Sequence, residues 1–348
     1  TPSGILQSLS YALRWNLMSG KEREILRDIV YACTTCNGCV IRCKSKATGI
    51  KIREAIEQGR RILREMMIGP LPQQRKPLWH IYAYGNPYGG KPEERLGWLG
   101  DMQVKRLPAD GTGTMLYVGC TVAYDPLLAE VGRSLVDVLT RLNVDFGVLP
   151  DEICCGDPAL RMGDTAIFDE LAVRNVDRFK AAGVKRVVTL SPHCYNTFLH
   201  EYRQAGDDWH VEHYTEFLFK RIQENGWEPA GTFPRVVAYH DPCYLGKHNK
   251  IYGPPRELLK SVPGLKLVEM KSNMDDALCC GGGGGRMYAE VEEERRLSKV
   301  RVAEALAAGA EVIATACPWC FTMLDGAVRD LQVNNRIEVM DIAQILRR

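Results

Sequence analysis

Thirteen of the 348 residues are cysteine, and most fall in clusters whose spacing gathers thiolates rather than pairing them as disulfides. The first cluster, CTTCNGCVIRC, sets Cys33, Cys36, Cys39 and Cys43 as C-x2-C-x2-C-x3-C. Three thiolates on one tight turn, with a fourth close by, is the spacing that grips a 4Fe–4S cubane. Zinc usually takes two ligand pairs separated by a dozen residues or more and fits this run poorly. Where two clusters are bound, the last cysteine of such a run serves the other cluster. Cys43 therefore either closes this cubane or serves a partner whose remaining ligands precede Thr1.

A second set lies near the C-terminus: Cys243, the adjacent pair Cys279–Cys280, and Cys317 and Cys320 in CPWC. Five thiols exceed what one tetrahedral zinc requires. A CPWC alone resembles a thioredoxin-type redox pair, but the three further cysteines make a metal centre the stronger reading. The stretch LCCGGGGG, residues 278–285, allows a vicinal disulfide, half a zinc site or cluster ligands. Its glycines allow a linker, a phosphate cradle or clearance. A phosphate loop requires Gly-x4-Gly-Lys-Ser/Thr, and no Lys-Ser/Thr follows here. The expectation is two cluster ligands, with glycines that leave room for a larger cluster and a substrate sulfur.

These residues belong to an internal repeat. TMLYVGC recurs as VVAYHDPC, EICCGDPALRMGD as ALCCGGGGGRMYA, and VVTLSPHCYNTFL as VIATACPWCFTML. Cys120, Cys155 and Cys194 thus match Cys243, Cys280 and Cys320. In the first copy Ser191 stands where the second has Cys317, and a hydroxyl is a poor substitute for a thiolate on soft metals. Cys120, Cys154, Cys155 and Cys194 remain as a metal set for zinc or a four-ligand iron–sulfur cluster, with His193 an unforced extra ligand; an empty, reduced site is the alternative.

The elements that must position these groups follow from apolar patterning. TMLYVGC, KRVVTLS, PRVVAYHDPC and AEVIATAC predict buried parallel strands, and PLLAEVGRSLVDVLTRL and VEEERRLSKVRVAEALAAG predict helices. The fold class is α/β with parallel, Rossmann-like sheets. Cys243 and Cys317 fall just past the ends of strands, where open α/β sheets place ligands. Residues 1–69 form a helical 4Fe–4S domain, with Ile5, Leu6, Leu9, Leu13 and Leu17, and then Ile52, Ala55, Ile56, Leu63 and Met67, at helical spacing. Residues 70–113 lack periodicity and predict an extended linker arm, whose Trp79, Tyr82, Tyr84, Tyr88 and Trp98 suggest docking. The two α/β repeats occupy 114–232 and 233–348.

Several smaller candidates accompany the cysteines. Arg161 and Arg286 each fall six residues after a vicinal cysteine pair. They would stabilise a reduced cluster electrostatically, bind an anionic substrate, or form a salt bridge. His240, Asp241 and His248 in HDPCYLGKHNK suit hydrogen bonding to cluster sulfur or proton relay. The charge-rich EVEEERRLSKVRVAEAL predicts a helix with a solvated face.

The pattern C-x35-CC-x36-CPWC resembles the cysteine-rich CCG domain of heterodisulfide reductases. A ferredoxin-type motif followed by two such domains, with the NPYG…ERLGWL segment between, is similar to their D-type subunit, a fusion of C-type and B-type subunits. Iron–sulfur subunits of glycolate oxidase and anaerobic glycerol-3-phosphate dehydrogenase share this layout. The resemblance implies a disulfide/thiol oxidoreductase working as one subunit of a complex. It also implies a noncubane 4Fe–4S cluster on Cys243, Cys279, Cys280, Cys317 and Cys320, with His240 and Arg286 beside the chemistry. Redox partners of cytochrome b, ferredoxin or flavin type follow, with a small-molecule or protein disulfide as substrate. An electron conduit for a flavin dehydrogenase and a zinc-stabilised interaction scaffold are the alternatives.

A formal net charge of +2 gives no footprint for nucleic acid. No apolar run reaches the length of a membrane span, and TPSGILQSLSYALRW lacks the features of a secretory signal and a starting Met. These point to a cytoplasmic chain, or one peripheral on the cytoplasmic face of a membrane through a partner.

Overall fold

Two parallel sheets carry the repeats. In the computed structural model, residues 1–15, 19–43, 51–202, 209–226, 229, 231–289, 292 and 296–348 are described. The first sheet holds β1 (Lys105–Arg106), β2 (Thr114–Tyr117), β3 (Gly147–Val148), β4 (Arg186–Thr189) and β5 (His210–His213), in the order β1-β3-β2-β4-β5. The second holds β6 (Val236–Tyr239), β7 (Lys266–Val268), β8 (Val312–Thr315) and β9 (Glu338–Asp341), in the order β7-β6-β8-β9. All pairings are parallel. The four runs expected as strands contain the central β2, β4, β6 and β8, whose residues are buried on both faces as parallel sheets require.

The two repeats pack on each other reciprocally. Helix Ala129–Arg141 of the first meets helix Ile342–Arg347 of the second, while helix Tyr214–Asn225 of the first meets helix Gly253–Lys260 of the second. Exchanging the two repeats turns one contact into the other, as in an isologous dimer folded into one chain. The Tyr214 hydroxyl donates to Asp341 Oδ1 across this contact at 2.7 Å. Asp341 also caps the last helix by accepting from the Ala343 N–H.

Helices Pro2–Trp15, Gly20–Tyr31 and Ile52–Glu65 pack together in the N-terminal region. Ile5, Leu9, Ile56 and Leu63 are buried there as their spacing predicts. Leu13 and Met67 are exposed; Met67 lies beyond its helix in left-handed backbone. Leu17 lies outside the described residues. The second helix starts with a capping box, Ser19 and Glu22 each bonding the other's backbone N–H, and delivers the chain to Cys33.

The segment 70–113 corrects the expected extended arm. Residues Pro72–Tyr84 form a helix that buries Gln74, Leu78 and Ile81. Pro72 occupies its first turn, where no N–H is needed. Trp98, Leu99 and Leu107 enter the core of the first α/β repeat, and β1 joins its sheet. The linker is thus divided between its two neighbours. Trp79 and Tyr82 do face solvent.

Candidate metal centres

The cysteine turn of residues 33–39 bends through two left-handed non-glycine residues, Thr35 (φ 53°) and Asn37 (φ 64°). A β-branched residue rarely adopts this conformation without compensation. Thr35 is compensated three ways. Its N–H points at Cys33 Sγ (3.4 Å), its hydroxyl reaches Thr34 O (2.7 Å), and the same hydroxyl meets the Tyr244 hydroxyl (2.9 Å). Cys33, Cys36 and Cys39 are close enough to repel one another's thiolates. Cys43 ends the short helix Gly38–Arg42 one turn later.

The five C-terminal cysteines are buried and unpaired as disulfides. Their thiols adjoin in a chain in which each can share a proton with the next: Cys243 with Cys279, Cys279 with Cys280, Cys280 with Cys320 and Cys320 with Cys317. Cys36 joins the chain through Cys279. The bonds from Cys279 and Cys320 hold Cys280 well below the usual thiol range. Cys243 and Cys320 are pushed well above it, as donors in these bonds and then by burial. The adjacent pair is therefore where thiolate character concentrates, and the thiolate is the metal ligand.

The glycines after the pair have two uses. Gly281 takes φ +97°, which turns its N–H onto Cys279 Sγ at 3.2 Å. Gly156 does the same for Cys154 at 3.4 Å in the first repeat. Two of the later glycines clear protein backbone, while Gly282 and Gly285 face the side chains of Met323 and of Met162 and Gln74. A Cβ on Gly283 would sit 2.3 Å from Thr34 O, and one on Gly284 2.6 Å from Cys33 O. The glycine run is the surface on which the N-terminal cysteine turn docks.

His240 lies against this set. One of its ring nitrogens lies within 4.8 Å of the Cys280 and Cys320 sulfurs. Its Nδ1 faces Arg301 Nε at 3.2 Å. A guanidinium only donates, so Nδ1 accepts and the neutral ring carries its proton on Nε2. Burial, then Arg301, lowers the pKa of His240 to about 3, which keeps the ring neutral. Nε2 is buried without a partner among the described residues. His240 is thus suited to donate an N–H to sulfur rather than to ligate metal. Arg301 itself is fully buried, so its helix, Leu297–Ala307, is not the purely solvated charged face that the sequence suggests.

In the first repeat, Cys120, Cys154, Cys155 and Cys194 are also brought together and buried, with Cys155 and Cys194 sulfurs 3.4 Å apart. Burial pushes Cys120 and Cys155 well above the usual thiol range. Ser191 keeps the capping role of Cys317 but not its thiolate: its hydroxyl accepts from the His193 N–H, as the Cys317 sulfur accepts from the Cys320 N–H. His193 gives its Nδ1 to Asp157 at 3.1 Å. A small cavity separates this set from Trp319 of CPWC.

An aromatic column links the three sets. His193 stacks on Tyr244 and packs at a tilt of 41° on Trp319, and Tyr244 stacks on His248, at centroid distances of 4.0–4.1 Å. His248 Nε2 meets Thr35 O in the N-terminal turn at 3.0 Å. No spacing rule singles out Tyr244 or Trp319, although each adjoins a cysteine of the C-terminal set.

Arg161 forms ion pairs with Asp157, Glu57 and Glu201, which realises its salt-bridge reading. Asp241 is held by Arg256, a structural pair. Arg286 is half-buried within the electrostatic reach of Arg60 and Asp28. Three further buried arginines, Arg60, Arg95 and Arg301, border the three cysteine sets. Nothing in their sequence context marks them.

The sequence matches the cysteine-rich (CCG) domain family at residues 114–199 and again at 237–325, and the chain belongs to that family. It is 33% identical over 345 residues to the EtfAB:quinone oxidoreductase of Syntrophomonas wolfei, covering 93% of this chain and 48% of that protein. A probable iron–sulfur-binding oxidoreductase of Bacillus subtilis is 31% identical, over 92% of this chain and 46% of its own length. The chain spans about half the length of these two relatives. The D-type subunit of the dihydromethanophenazine:CoB–CoM heterodisulfide reductase of Methanosarcina acetivorans is 34% identical, over 92% of this chain and 78% of its own length. A crystal structure of a hypothetical Helicobacter pylori protein shares the fold, with a TM-score of 0.54, 12% identity, and coverage of 99% of this chain and 76% of that one. Among the described residues no helix is long and apolar enough to cross a membrane.

Proposed function

We propose that the chain is an iron–sulfur oxidoreductase subunit passing electrons between two adjoining clusters. One is a 4Fe–4S cubane on Cys33, Cys36, Cys39 and Cys43. The other is a noncubane 4Fe–4S cluster on Cys243, Cys279, Cys280, Cys317 and Cys320, where a disulfide is reduced or formed. The observation that carries this reading is the contact of Cys36 with Cys279, which leaves no protein between the two ligand sets. The all-thiol donor sets and the orphaned His240 Nε2–H fit sulfur-rich, anionic occupants.

When bound, the clusters supply electrons singly, and two electrons with two protons convert a disulfide into two thiols. The chain's residues orient and shield. Thr35 and Gly281 aim N–H groups at ligand sulfurs, and the His240 N–H is positioned to stabilise negative charge on sulfur beside Cys280. The set of Cys120, Cys154, Cys155 and Cys194 suits zinc or a four-ligand iron–sulfur cluster. Redox subunits of cytochrome b, ferredoxin or flavin type are the partners, and any membrane is reached through them. Anaerobically purified protein should be brown and carry iron for at least two clusters; a colourless, iron-free protein would overturn the proposal.

A second reading, an electron conduit with the chemistry on another chain, is favoured by the similarity to an EtfAB:quinone oxidoreductase. Disulfide reduction by this chain with an artificial electron donor separates the two readings.

A further inference from the structure

We infer that Arg60 is the counter-charge of the N-terminal cysteine site and the anchor that docks it on the glycine run. Arg60 lies on helix Ile52–Glu65 and is fully buried. Every hydrogen bond of its guanidinium goes to a backbone carbonyl. Nε and Nη2 reach Val30 O at 3.4 and 3.1 Å, and Nη2 also donates to Cys33 O. Nη1 reaches Arg161 O at 2.8 Å and Gly284 O at 3.0 Å. The guanidinium also lies over the Tyr31 ring, 4.8 Å from its centroid.

The other buried arginines near the cysteines have carboxylate partners. Arg95 pairs with Glu152, Arg301 with Glu304, and Arg161 with three acids. Among the described residues no such ion pair serves Arg60. Carbonyl dipoles satisfy its donors but leave its charge uncompensated, and a buried charge persists when an opposite charge stands near. The cysteine it touches is Cys33, through that residue's carbonyl oxygen. A 4Fe–4S cubane on four thiolates is net negative in both of its working oxidation states, and so supplies the missing charge.

The same guanidinium joins three parts of the molecule: the cysteine turn at Cys33, the first repeat at Arg161 and the glycine run at Gly284. Gly284 has φ +63°, and a Cβ there would lie 2.9 Å from Nη1. Glycine lets this carbonyl face the cation. Arg60 is therefore a positioning residue for the Cys36–Cys279 contact. It also raises the potential of the N-terminal cluster, because positive charge favours the more negative, reduced state.

The inference rests on the cubane reading, and its test distinguishes the two. Wild-type, Arg60→Gln and Arg60→Lys holoproteins are titrated anaerobically with EPR detection, following the signal lost in Cys39→Ser. Arg60→Gln should shift that midpoint potential to more negative values, and Arg60→Lys should stay near wild type. A wild-type potential in Arg60→Gln overturns the inference and leaves the cubane reading intact. An Arg60→Lys potential well below wild type also overturns it, and decides the matter if Arg60→Gln does not fold. A wild-type protein with no reducible signal dependent on Cys39 overturns the cubane reading itself.

Discussion

The thiols of Cys36 and Cys279, 243 positions apart in the sequence, lie against each other. The contact exists because the turn after Cys33 lies directly on the glycines after Cys280, with Thr34 O and Cys33 O where side chains would otherwise be. One tight turn and one glycine run thereby bring two cysteine sets into a single site.

Gly283→Ala tests that docking. Its methyl would meet the backbone oxygen Thr34 O at 2.3 Å, with no flexible side chain to yield. Overpacking of this kind costs about 1–3 kcal/mol. Denaturant unfolding should show that loss, together with weaker magnetic interaction between the two reduced clusters. Unchanged stability and spectra would mean that the turn and the glycine run are not in contact.

Glu152→Ala should destabilise the protein by about 3–5 kcal/mol, because it leaves Arg95 buried and unpaired. Arg95 and Glu152 are both buried, and Glu152 also accepts the N–H groups of Val118 and Gly119. Arg95 contacts Cys120 Sγ at 3.4 Å, so metal content at the first cysteine set should fall as well. A loss under about 1 kcal/mol with full metal content would contradict this account.

Asp341 predicts a pH dependence. Burial raises its pKa to about 7, although the Ala343 N–H and Tyr214 hydroxyl pull the other way; an unfolded aspartate titrates near roughly 3.9. The folded state thus favours the neutral carboxyl. Its contribution to stability is complete below a pH of about 4 and is lost as pH rises through about 7. The full difference is on the order of 4 kcal/mol. Asp341→Asn retains a cap and cannot ionise, so its stability should gain on wild type steadily between about pH 4 and 7 and then level off. Parallel stability curves would refute the assignment.

His240→Leu should make the five-cysteine cluster harder to reduce, since a hydrogen bond to sulfur stabilises added negative charge. A potentiometric titration reads the shift. Arg301→Lys, which can still donate to Nδ1, should fall between wild type and His240→Leu. If neither variant moves the potential, His240 does not address the cluster.

The cysteine sets and the central strands were legible because their signals are local. C-x2-C-x2-C spacing and runs such as VVAY mean much the same in any context. The short strands β3 and β7 were not, being two and three residues long. Helix Pro72–Tyr84 was hidden by Pro72 and Pro77 and by a buried face of only Gln74, Leu78 and Ile81. Arg301 sits in a charge-rich stretch whose pattern signals solvent, yet it is buried against His240. The repeat marked four glycines as peculiar to the second copy. Only the fold shows that Gly283 and Gly284 make way for the backbone at Cys33 and Thr34.

The central claim is that the vicinal pair holds a cluster on which a substrate sulfur reacts, fed through Cys36. EPR of anaerobic protein, oxidised in the presence of a thiol, tests it most directly. A paramagnetic signal should appear with thiol, be absent without it, and be lost in Cys280→Ser while the Cys39-dependent signal survives. A spectrum indifferent to thiol, or one unchanged in Cys280→Ser, would contradict the account.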